Sequence, residues 1–230
     1  MKTPLLLAAL LAATVHVLAQ PTPASAPAAP SASPVSFVDP DAPEVATIRR
    51  LGESAMNQLS FTMVRELTTA IAKGGLEAAV DVAHLTHLPW VNGRLENLPQ
   101  ITAVKLTSFR LRTPLNAPDA ADQLALDRVK EELSSSPSPS SVLVQRIGPP
   151  DGTPEWRVYR PIGAAPVCIR CHGNPNDQST GLRAKLMERY PTDNATGFEA
   201  GQWRGLIRVT VDLTPPPQTK PAVKPAIPQP

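Results

Sequence analysis

Apolar residues recur along the chain with two periods, and the change of period marks out the elements. Val45, Ile48, Leu51, Met56, Leu59, Met63, Leu67 and Ile71 follow one another at helical spacing, which predicts a long amphipathic helix. Asp41 is placed to cap it, with Pro43 in the first turn and Glu44 three residues on from the cap. Gly74-Gly75 ends the run, and a second helix follows from Leu76 to Leu88, stopped by Pro89. Ile101 to Ser108 alternates as a strand does. A third helix begins at Pro118 and runs through Leu133, closed by a Ser/Pro loop at 134–141. Val142 to Ile147 and Trp156 to Ile162 read as an antiparallel pair joined at Pro149-Pro150-Asp151-Gly152. The loop that holds Cys168 to His172 precedes a short helix from Gly181 to Tyr190, and Trp203 to Leu213 reads as a final strand. Helices first and hairpin-connected strands later predict an α+β unit with an antiparallel sheet over 43–213.

The two ends carry a different pattern. Residues 1–19 have the layout of a signal peptide: Lys2, an apolar run from Leu5 to Val17, and the small-residue site Val17-Leu18-Ala19. That run is too short for a good membrane span, so no span is expected after cleavage. Residues 20–42 are a Pro/Ala/Ser-rich linker and 214–230 a Pro-rich tail expected to be disordered. Thirteen of the 28 prolines sit in these two tracts. The formal net charge of +2 points to neither nucleic acid nor an anionic membrane as partner.

Cys168-Ile169-Arg170-Cys171-His172 then changes the picture. C-x-x-C-H is the attachment pattern of a c-type haem. Each thiol adds across one haem vinyl group, and two intervening residues let both sulfurs reach the porphyrin edge. The next residue, His172, is carried beneath the ring as the proximal iron ligand. The chain holds only two cysteines and four histidines. Three other readings of the pair exist: a disulfide in an oxidising compartment, a thioredoxin-like redox pair, and part of a zinc site. The redox pair lacks a preceding strand of a βαβ unit, and the zinc site lacks a second C-x-x-C. Haem c attachment and export support each other, because attachment takes place on a translocated chain. No Ser/His/Asp set, glycine-rich phosphate loop or pair of carboxylates stands in a catalytic pattern. Asp127 to Glu132 reads as a solvated helix face.

A series of segments carries a family likeness: Arg112-Thr113-Pro114-Leu115-Asn116-Ala117-Pro118-Asp119, Tyr159-Arg160-Pro161-Ile162, the haem motif with Gly173, Tyr190-Pro191-Thr192-Asp193-Asn194-Ala195-Thr196-Gly197, and Trp203-Arg204-Gly205. This order resembles a bacterial family of exported c-type haem domains with a PAS-like fold, long catalogued as a domain of unknown function. The resemblance implies one covalent haem c and a periplasmic role in electron transfer, or in redox or gas sensing. The partner would be a redox protein or a small gas ligand. The likeness covers roughly residues 50 to 213 and departs from the family at two places, Thr113 and Ala83. Family members commonly carry a cysteine at the position of Ala83, whose thiolate can be the distal iron ligand.

With that cysteine gone, His87 shares the helical face of Ala83 and is the candidate distal ligand, with His84 as runner-up. Met187 is a third candidate, although its spacing suits a core position better. Haem propionates call for cations, and Arg110, Arg112, Arg160 and Arg204 lie in the matching segments. The other function classes carried forward are a haem enzyme such as a peroxidase, with an open distal site, and an exported disulfide protein without haem.

Overall fold

The computed structural model describes residues 34–82, 89–136 and 141–215. A long helix α1 (Ala46–Val80) lies on one face of a five-stranded antiparallel sheet, and α2 (Ala120–Ser135) lies on the other. The strands are β1 (Val35–Val38), β4 (Ile101–Thr107), β5 (Leu143–Ile147), β6 (Glu155–Gly163) and β7 (Trp203–Val211), in the order β1-β5-β6-β7-β4. A two-stranded hairpin, β2 (Trp90–Val91) and β3 (Arg94–Leu95), precedes β4. Two short helices, α3 (Pro166–His172) and α4 (Thr180–Arg189), fill the crossing from β6 to β7. The architecture is therefore α+β with an antiparallel sheet, as the periodicity predicts.

Alternation along the strands divides the core. Val144, Val158, Ile207 and Val209 face α1, where Ile48, Ala55, Met56 and Leu59 meet them. Leu143, Tyr159 and Leu206 face α2, against Ala125, Leu126 and Val129. At Gly52 the helix comes so close to the sheet that an added Cβ would stand 2.6 Å from Val158 Cβ. Beyond Leu59 the helical stripe of Met63, Leu67 and Ile71 continues but is only half-buried.

The predicted break at Gly74-Gly75 is present. Gly75 has φ +74° and ψ −167°, a conformation open essentially to glycine alone, so residues 76–80 turn away from the axis of the first segment. The turned segment packs Leu76 and Val80 against Leu182 and Leu186 of α4. Two polar contacts add to this: Ser179 Oγ donates to Glu77 Oε1 at 3.0 Å, and Lys185 Nζ reaches Asp81 Oδ2 at 2.5 Å.

Several expectations need correction. Asp41 does not cap α1: Pro43–Val45 form a 3-10 turn in which Val45 N–H donates to Ala42 O, and the Asp41 carboxylate pairs with Arg49. Val35–Val38, placed by composition in the linker, instead form β1 against β5, so the folded unit begins before residue 43. The β2–β3 hairpin went unread, although Asn92 (φ +50°) and Gly93 (φ +73°) form the tight turn that an Asn-Gly pair favours. The C-x-x-C-H segment is helix, not loop. Met187 is 72% exposed and has no place in the core. No described helix is long and apolar enough to cross a membrane.

Candidate functional site

Pro166 starts α3 directly after β6, with its fixed φ at the first helical position. Cys168 and Cys171 stand three residues apart on this one turn, which turns both sulfurs to the same side. Both are half-buried, and they are not joined in a disulfide. Cys171 packs with Leu76, Val80, Leu182, Leu186 and Tyr190, so the turned end of α1 and α4 border the motif. Burial pushes the Cys171 thiol up from its ordinary range, against the opposing pull of Arg112. A redox-active C-x-x-C pair works the other way, through a lowered thiol pKa.

His172 is held through one ring nitrogen. Its Nδ1 lies 2.6 Å from Ala195 O, and a carbonyl can only accept, so Nδ1 carries the proton and Nε2 keeps its lone pair. Burial, followed by the charges of Arg112 and Arg204, pushes the imidazolium pKa down to about 3, so the ring is neutral near pH 7. The ring also meets Phe198 edge to face, with centroids 6.4 Å apart.

The loop that supplies Ala195 O is itself fixed. Asp193 Oδ1 accepts from Ala195 N–H at 2.8 Å, and Oδ2 accepts from Arg112 Nε at 2.9 Å. Arg112 Nη2 donates to Cys171 O at 2.6 Å, tying the end of α3 to the same carboxylate. Phe198 N–H donates to His172 O and Gly197 N–H to Gly173 O, at 2.9 and 2.7 Å. A chain of contacts thus runs from Arg112 through Asp193 and Ala195 to the imidazole.

The structure gathers three of the four predicted arginines here. Arg110 stacks on Phe198 with its guanidinium carbon 4.0 Å from the ring centre, and Arg204 does so at 5.0 Å. Arg204 Nη1 donates to Arg110 O at 3.0 Å, and burial draws its pKa down to about 10. Arg160 is engaged elsewhere: Nη1 donates to Asn57 Oδ1 of α1 at 2.7 Å. His84 and His87 lie outside the described residues. Asp193, Ala195 and Phe198 were missed as site residues. The segment 190–197 was part of the family likeness, yet the decisive atom in it is a backbone oxygen with no signature in the sequence.

Fold and site together define an α+β protein with a C-x-x-C-H helix at the end of an antiparallel sheet, its histidine presented by a separate loop. The model of the Tll0287-like family matches residues 44–212, and the chain belongs to that family. A solved structure, that of the cyanobacterial haem protein Tll0287, is similar over 76% of this chain and 98% of its own, with 19% identity and a TM-score of 0.45. No curated protein is significantly similar to the chain.

Proposed function

We propose that the protein is a periplasmic monohaem c-type cytochrome: a PAS-like haem-binding module for electron transfer or redox sensing. The observation that carries this reading is the presentation of His172. Its Nδ1–H is committed to Ala195 O, leaving a neutral Nε2 as donor beside two unpaired cysteines on one helical turn. Such a hydrogen bond fixes the tautomer and ring orientation that iron ligation needs. Membership of the Tll0287-like family, and the haem of the protein after which it is named, support the same cofactor. The residues present fit haem c. Cys168 and Cys171 would hold it by thioethers and His172 by the proximal bond, with Leu76, Val80, Leu182 and Leu186 as apolar surroundings of the Cys171 side. Bound there, the haem iron would supply one-electron chemistry.

The distal ligand is assigned to His87, because the cysteine of the family pattern is Ala83 here. The last described residues before it leave from the segment that packs beside Cys171, since Val80 belongs to that cluster. With imidazoles from both His172 and His87 the iron would be low-spin and would sit at a higher potential than with a thiolate ligand. Spectra of oxidised, reduced and CO-treated protein test the assignment. Wild type should be low-spin and slow to take up CO; His87→Ala should become high-spin and bind CO readily; His84→Ala should match wild type. High-spin wild-type protein would favour an open distal site, as gas sensing or peroxidase chemistry requires. A spectrum altered only by His84→Ala would give the distal role to that residue.

A further inference from the structure

The arginine cluster beside His172 carries more positive charge than its surroundings neutralise. Arg110, Arg112 and Arg204 converge there, and Asp193 is the one carboxylate they meet among the described residues. That carboxylate is taken by Arg112, which spends a second nitrogen on Cys171 O. Arg110 and Arg204 are different. Arg110 Nε reaches only a carbonyl, Asn194 O, at 3.5 Å, and Arg204 Nη1 reaches only the Arg110 carbonyl. Most of the fork of each guanidinium is left without a protein acceptor among the described residues. Both guanidinium groups rest over the Phe198 ring, so less side-chain freedom is lost on binding. A half-buried pair of fixed guanidinium groups in excess of its counter-charges calls for carboxylate or phosphate groups. Two cations in excess match a ligand with two carboxylates.

We propose that Arg110 and Arg204, stacked on Phe198, form the site for the two propionate carboxylates of the haem, while Arg112 and Arg160 take no part in it. This rests on the haem reading above and selects two arginines from the four the sequence offers. No bond is made or broken; the ligand is a dicarboxylate held by charge-assisted hydrogen bonds.

The test compares wild type, Arg110→Gln, Arg204→Lys and Arg160→Gln after maturation in the same host, with covalent haem checked by mass before each measurement. Two readouts follow: the propionate deformation bands in resonance Raman spectra, and a redox titration. Removing a guanidinium leaves a propionate charge uncompensated near the iron and favours the ferric state. For Arg110→Gln the reduced-to-oxidised ratio at fixed potential should fall by up to about tenfold, a shift of up to about 59 mV to lower potential. The propionate bands should move with it. Arg204→Lys keeps the charge but not the fork, so its bands should move while its potential changes less. Arg160→Gln should coincide with wild type in both. Haem-loaded Arg110→Gln and Arg204→Lys with wild-type bands and potentials would overturn the proposal and leave the haem reading standing. Wild type without haem would overturn both. Among the described residues the Arg110 side chain makes only the 3.5 Å hydrogen bond to Asn194 O, against the 3.0 Å bond of Arg204, so its variant decides the matter even if Arg204→Lys fails to accumulate.

Discussion

Cys168→Ser together with Cys171→Ser should give a folded protein that carries no covalent haem. The two sulfurs are the only thiols in the chain, and they stand on one turn of α3 beside His172. Serine cannot form the thioether, so acid–acetone extraction should strip all haem from the double variant and none from wild type. Either single variant should keep one thioether and an altered absorption band. The fold should persist. Both cysteines are half-buried, and placing a hydroxyl beside Leu182 and Leu186 costs about 1–3 kcal/mol, well within the stability of an ordinary domain. Cys171→Ala avoids that cost and serves as the control. Retention of haem by the double variant after extraction would contradict covalent attachment.

Asp122→Ala should destabilise the protein by about 3 kcal/mol, at the lower end of the range for breaking a buried ion pair. Asp122 is fully buried at the start of α2, where it joins Asp119 in a reciprocal capping box. Its carboxylate accepts from Lys105 Nζ at 2.9 Å and from Arg157 and Arg208 Nη1, both at 3.3 Å. The Tyr159 hydroxyl, with one proton, is shared between Asp122 Oδ1 at 3.1 Å and Gln145 Oε1 at 2.9 Å. Burial, with the Asp122 charge, holds the Tyr159 phenol well above its usual range. Alanine leaves three cations around a hole. Arg157 retains Asp119 and Glu155, which moderates the loss, but among the described residues Arg208 retains only Asp119, at 3.4 Å, and already has a buried Nε without a partner. Asp122→Asn keeps the shape and should cost less. The network pins α2 to the face opposite α1, so haem spectra of the folded Asp122→Ala protein should match wild type. Urea midpoints of the two variants check the prediction, and a loss under about 1 kcal/mol for alanine, the scale of an exposed pair, would contradict it.

This network also shows where the sequence is silent. Asp122 lies only five residues before Asp127, where the charges from Asp127 to Glu132 read as a solvated face, and nothing local sets it apart from them. For Asp127 and Arg128, which pair along the helix surface with Gln123 and Glu132, that reading holds. What makes Asp122 different is Lys105, Arg157 and Arg208 arriving from three strands, a coincidence that no local window contains. The same reason hid β1. Four residues at the end of a Pro/Ala/Ser tract become a strand only because β5, more than a hundred residues later, offers them an edge. Elements that bury one face by local periodicity were legible: the stripe from Val45 to Leu59, the alternation of β5 and β6, and the break at Gly74-Gly75. In the site, the motif named its own three residues, since thioether spacing is a local property. The Ala195 carbonyl that orients His172 stands 23 residues away and has no side-chain chemistry to read.

The claim that Cys168, Cys171 and His172 hold a haem c is tested most directly by the intact mass of wild-type protein exported from a host with a cytochrome c maturation system. The predicted result is a chain cleaved near Ala19 whose mass exceeds the processed polypeptide by one haem after acid–acetone extraction. A processed chain with two unmodified cysteines, or with a disulfide between them, would contradict it.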